Sequence, residues 1–97
     1  MTTKQRAALR AMANTQDAIL HIGKEGIGDT LAKQAWDALE ARELIKVTVQ
    51  KNAPYEGTRE ACQALCERVH AEPVQVIGSK FVIYRQAREP KIDLNAL

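Results

Sequence analysis

Gly23-Lys24-Glu25-Gly26 follows a short apolar run and precedes a segment with helical periodicity. The chemistry open to such a loop is anion binding. Two glycines let bare backbone amides approach a phosphate, and a lysine between them adds positive charge. An ordinary strand-to-helix turn would also use glycine for positive backbone dihedrals, so the tetrapeptide gains meaning only from its surroundings. Other chemistries find little support. Gly23, Gly26 and Gly28 lack the Gly-Lys-Ser/Thr ending of a Walker loop, and their GxxGxG spacing departs from the GxGxxG of a dinucleotide site. No serine has an evident histidine and acid partner, there is no HExxH, and His21 and His70 lie far apart. Cys62 and Cys66 stand four apart in a helical segment, a poor geometry for a disulfide and no common zinc pattern, so they read as buried apolar thiols. The expectation is a non-enzymatic protein with no cofactor and no metal.

The net charge of +2 is too small to argue for a polyanionic partner, but its placement is informative. Lys4, Arg6 and Arg10 occupy the first sixteen residues with no acid among them, and Lys80, Arg85, Arg88 and Lys91 follow Gly78. The two middle helical segments are net acidic, with Asp29, Asp37, Glu40 and Glu43 in one and Glu56, Glu60, Glu67 and Glu72 in the other. A fold that brings both ends to the glycine loop would build one positive face on a nearly neutral protein. Charges scattered for solubility are the alternative.

The elements that must position these residues follow from periodicity. With 97 residues, 45% hydrophobic and 27% charged, the chain suits one globular domain that folds without disulfide or metal staples. Thr2 or Thr3 caps a first helix that runs to about Ala13 and ends at Asn14. Ala18 to Ile22 reads as a buried first strand, with His21 an edge or core histidine. Asp29 or Thr30 caps a second helix, whose stripe of Leu31, Ala32, Ala35, Trp36 and Leu39 faces the core. Leu44 to Gln50 alternates as a strand, with Ile45, Val47 and Val49 inward. Thr58 caps a third helix that buries Ala61, Cys62, Leu65, Cys66 and Val69, and Gly78-Ser79 joins strands Val74 to Ile77 and Lys80 to Tyr84. The order is α-β-α-β-α-β-β, an α/β domain with an irregular basic tail from about 86 to 97. No apolar run spans a bilayer and the N-terminus lacks the apolar core of a secretion signal, so a cytoplasmic protein is expected. A monomer is the default in the absence of apolar heptads.

Taken in order, the glycine loop after its strand, Glu43-Leu44-Ile45-Lys46-Val47, and Val74-Gln75-Val76-Ile77-Gly78 with Val82-Ile83-Tyr84-Arg85 resemble the CRM domain. This is the chloroplast RNA splicing and ribosome maturation domain, here in its stand-alone bacterial YhbY form, and the likeness covers essentially the whole chain. The resemblance implies a mixed four-stranded sheet with helices packed on it, similar to the C-terminal domain of translation initiation factor three. It also implies an RNA-binding protein associated with large ribosomal subunit precursors, with large-subunit rRNA as partner. The family's glycine loop is likened to the GxxG loop of KH domains, which clamps nucleic-acid backbone. Carried onto this chain, the RNA-binding residues are Gly23, Lys24, Glu25 and Gly26, extended by Lys4, Arg6, Arg10, Lys80 and Arg85, with Lys46 and Arg88 behind them. Glu25 must point away from any phosphate.

Tyr84 shares a strand face with Val82, as a stacking surface or, preferably, as a sheet residue covered by a helix. With aromatics at 4% of the chain, backbone contact and shape are the expected basis of recognition. A general DNA binder and a protein-interaction module are the other readings.

Overall fold

Thr2 and Gln5 close a capping box at the start of α1 (Thr3–Ala13): the Gln5 amide donates to the Thr2 hydroxyl, and the Thr2 amide donates to the Gln5 side chain. The computed structural model describes residues 1–97. After α1 come β1 (Leu20–Ile22), α2 (Asp29–Arg42), β2 (Leu44–Val49), α3 (Thr58–Val69), β3 (Glu72–Ile77), β4 (Lys80–Tyr84) and a 3-10 turn at Leu94–Ala96. The strands form one mixed sheet in the order β1-β2-β4-β3, with β1 parallel to β2 and the other two pairs antiparallel. Element order and sheet are those expected.

Strand alternation gives the sheet two apolar faces. On one, Ile22, Ile45, Val47, Val49, Phe81 and Ile83 pack against Ala35 and Leu39 of α2 and Ala61, Cys62, Leu65, Cys66 and Val69 of α3. On the other, Leu44, Val74, Val82 and Tyr84 pack against Leu9 and Ala13 of α1, and Ile92, Leu94 and Leu97 of the tail lie on this second core. The sheet is therefore the middle of three layers. Each fully buried Leu, Ile or Phe contributes about 1.5–3 kcal/mol through apolar area removed from water. Cys62 and Cys66 are free thiols in the larger core, and their mutual contact followed by burial pushes the Cys66 thiol up.

Local differences from the sequence reading have identifiable causes. The second and third helices begin with Gly28 and Gly57 as caps that make no side-chain bond, and the expected caps Asp29, Thr30 and Thr58 lie inside the first turns. Asp29 pairs with Arg68, and the Thr58 hydroxyl donates to the Gly78 carbonyl at 2.7 Å. Pro73 lies inside β3, which an edge strand with a register shift between Pro73 and Gln75 accommodates. Trp36 is not a core residue. It is 44% exposed, because the buried stripe of α2 is Ala32, Ala35 and Leu39 and the indole sits at its rim.

Candidate nucleic-acid interface

The parallel pairing of β1 and β2 puts their C-terminal ends at one end of the molecule, and antiparallel pairing brings the β3–β4 hairpin to the same end. There the Gly26 amide donates to the Gly23 carbonyl at 3.0 Å, closing a tight turn with Lys24 and Glu25 at its exposed tip. Gly26 has a φ of +68°, and a Cβ on it would meet Pro54 Cγ at 3.0 Å and the Tyr55 hydroxyl at 3.2 Å. The same Tyr55 hydroxyl accepts the Ile27 amide at 3.1 Å, so the loop between β2 and α3 pins the exit of the glycine loop. A cleft that joins the turn to the start of α2 is lined by the glycines with His21, Lys24 and Thr30, and also by two acids, Glu25 and Asp29. With Gly28 as the cap, no side chain occupies the first-turn amides of that helix, which carry its positive dipole end.

Beside the loop, one cross-strand row runs the full width of the sheet. His21 is opposite Thr48, Thr48 opposite Lys80, and Lys80 opposite Ile77. Register partners share a face, and Thr48 points away from Val47 and Val49, so this row lies on the α1 side. None of the four belongs to the core beneath α1. His21, Lys80 and Ile77 are exposed and Thr48 is half-buried, leaving an open strip of sheet that contains a cation and no acid. Lys51, exposed just after β2, adds a third cation at this end, and none of Lys24, Lys51 and Lys80 takes part in the three ion pairs of the protein.

Comparison with known proteins agrees with this architecture. The family model for the CRS1 / YhbY (CRM) domain matches residues 1–85. The chain belongs to the CRM family. It is 40% identical over 91 residues to the Bacillus subtilis protein named "Probable RNA-binding protein YqeI", covering 94% of each chain. It is 32% identical over 94 residues to a Haemophilus influenzae protein named "RNA-binding protein", covering 97% of this chain and 94% of that one. The solution structure of SAV1595 from Staphylococcus aureus superposes with a TM-score of 0.79 at 46% identity, covering 94% of both chains.

In this CRM domain the remaining basic residues are not all brought to the loop. Arg6 and Arg10, one helical turn apart, flank β3 at the far edge of the sheet, while Lys4, two positions from Arg6, is exposed on a different side of α1. Arg85 is a correction. It follows β4 at the end of the sheet opposite the glycine loop, and its side chain is only 13% exposed. Its guanidinium lies 3.9 Å over the Trp36 ring, donates to the Val69 and Trp36 carbonyls at 2.9 and 3.3 Å, and pairs with Glu40 at 3.1 Å. With its charge paired with Glu40, both terminal nitrogens engaged within the fold and its place at the far end of the sheet, Arg85 leaves the proposed footprint. Tyr84 is 5% exposed beneath α1 and the tail, which leaves no ring face open for stacking.

Sequence reasoning also missed Glu43. It is a fully buried charged side chain at the end of α2, with a φ of +67°. Its carboxylate accepts the amides of Ala87, Lys91 and Ile92 at 2.7, 2.5 and 2.6 Å, and so fastens the irregular tail to the body of the domain. The main signal available was an acid standing where a helix most often ends in glycine.

Proposed function

We propose that this CRM domain is a non-enzymatic RNA-binding factor in assembly of the large ribosomal subunit, contacting rRNA backbone through the glycine loop and the cations beside it. The observation that carries this reading is the cleft at the Gly23–Gly26 turn, where unoccupied α2 amides and exposed Lys24 converge on one concave site. A phosphate seated there receives backbone hydrogen bonds and a neighbouring charge, while Lys51 and Lys80 neutralise phosphates farther along the same strand. Glu25 repels the same anion, and the Asp29 carboxylate in the first turn of α2 is paired with Arg68, so the backbone approaches from the Lys24 side. Aromatic stacking has no platform at the loop end, since Tyr84 is buried and Trp36, stacked under Arg85, belongs to the opposite end of the sheet, so shape and backbone geometry govern recognition. The names of the relatives support RNA as the partner class, and the cytoplasm is the compartment in which such a factor would act.

The test is sedimentation of tagged protein from growing cells through a sucrose gradient, with crosslinked RNA sequenced from each fraction. Co-migration with precursor large subunits and crosslinks to their rRNA are expected, both lost on combining Lys24→Glu with Lys80→Glu. Migration as free protein only, or crosslinking to DNA, would overturn the reading.

A further inference from the structure

We infer that Arg6, Arg10 and Arg59 form a second RNA-backbone site at the outer edge of β3, and that the two sites together select double-helical RNA. The inference rests on the function proposed above and specifies its substrate. Arg6 and Arg10 come from α1 on one face of the sheet, Arg59 from the first turn of α3 on the other, and the three meet in a groove floored by Pro73, Gln75 and Val76. No acid lines this groove, and none of the three arginines belongs to an ion pair. All three residues are exposed. Three unpaired guanidiniums gathered from two layers repel one another unless an anion lies among them, and a planar, forked donor set suits phosphate oxygens.

The placement defines the ligand. The glycine loop follows β1, at one edge of the sheet, and the arginines border β3, at the other. Three inter-strand spacings separate those edges, roughly 14 Å. Between them runs the row His21, Thr48, Lys80 and Ile77, open and without a large aromatic. A-form RNA presents two backbones across a wide, shallow minor groove lined with 2′-hydroxyls, and it is recognised by shape and phosphate contacts. One backbone at the loop, the other at the arginines, and His21 and Thr48 toward the groove floor match this surface.

The experiment compares binding of the full chain to an RNA hairpin and to a single-stranded RNA of the same length over a series of salt concentrations. The wild type is expected to prefer the hairpin by about tenfold or more, and the triple variant Arg6→Gln, Arg10→Gln, Arg59→Gln to lose that preference. The slope of log affinity against log salt should flatten by roughly 2–3, one unit for each phosphate contact removed. Should the triple variant fail to fold, Arg59→Gln alone is expected to flatten the slope by roughly 1. A folded variant with unchanged hairpin affinity and slope would overturn the inference while leaving the loop reading intact. Unchanged RNA binding together with self-association would also overturn it, because the arginines would then serve only to keep the free edge of β3 from pairing. If the wild type bound neither RNA, the proposed function itself would fall.

Discussion

Lys24 and Arg85 stand at opposite ends of the same four-stranded sheet, and the chain uses its charges differently at each. At the loop end Lys24, Lys51 and Lys80 face solvent and belong to no ion pair. At the tail end Arg85 is consumed by Trp36, Val69 and Glu40, and Glu43 by three amides of the tail; Glu40 also accepts the Arg88 amide at 2.7 Å. The same residue types thus stay unpaired and exposed at one end and do structural work at the other. What separates them is whether the fold has brought a partner within hydrogen-bond distance. A count of basic residues along the chain cannot make that distinction.

The largest effect expected from this contrast is at Glu43. Glu43→Ala leaves three amide donors, one buried and two part-buried, without their acceptor and should cost about 3–5 kcal/mol, read by urea denaturation. The carboxyl also makes the attachment of the tail pH-sensitive. Burial acts to raise it, but the amides of Ala87, Lys91 and Ile92 and the charge of Lys91 outweigh burial and hold it below its ordinary value of 4.5. With the folded value the lower one, the stabilisation is fully present above the unfolded value and is lost as pH falls through the folded value. Acid unfolding of the wild type should therefore contain a component absent from Glu43→Gln. Identical acid profiles for the two proteins would show that the carboxylate does not hold the tail.

At the loop end the sharpest expectation is a difference between two glycines. Gly26→Ala combines a positive φ with a close approach to Pro54 and Tyr55 and should cost about 2 kcal/mol. At Gly23 a Cβ meets only the Gln50 side-chain tip, which can swing aside, and Gly23→Ala should stay within about 0.5 kcal/mol. Thermal melts decide the matter. Equal losses would mean that the turn is not held by the β2–α3 loop.

The glycine loop was legible because everything that shapes it, other than the Pro54 and Tyr55 wall, lies within a few residues. Helices and strands were legible for the same reason, since their periodicities are local. Glu43 was not, because an acid at the end of an acidic helix looks solvated until the tail amides, 44 to 49 residues downstream, are brought onto it. Arg85 was misread symmetrically: its partners, from Trp36 to Val69, are distant in sequence. Asp29 and Thr58 have the chemistry of helix caps, yet each stands one residue inside its helix and meets a partner distant in sequence, Arg68 and Gly78.

Exchanging the two kinds of cation gives a smaller effect with a clear sign. Arg85→Ala removes a stacked guanidinium and its carbonyl contacts and should cost about 1–2 kcal/mol of stability without altering the salt dependence of RNA binding. Lys24→Ala should leave stability within about 0.5 kcal/mol and reduce the salt slope by roughly 1. Finding either residue in the other's column would dissolve the distinction between the two ends.

The smallest effect belongs to Tyr84, and it tests whether the tail end stays closed when RNA binds. Its hydroxyl is buried and has no hydrogen-bond partner within the protein, while burial, followed by the charges of Glu43 and Glu72, pushes its pKa up. Removing the hydroxyl forfeits no protein hydrogen bond and relieves an unpaired buried polar group, so Tyr84→Phe should leave stability unchanged or slightly raised and RNA affinity unchanged. Because the ring is covered by α1 and the tail, a phenol can contribute to RNA binding only if the tail lifts, which requires the Glu43 contacts to break first. A loss of RNA affinity in Tyr84→Phe, with stability preserved, would therefore show that the closed end opens in the complex and that the contrast between the two ends describes only the free protein.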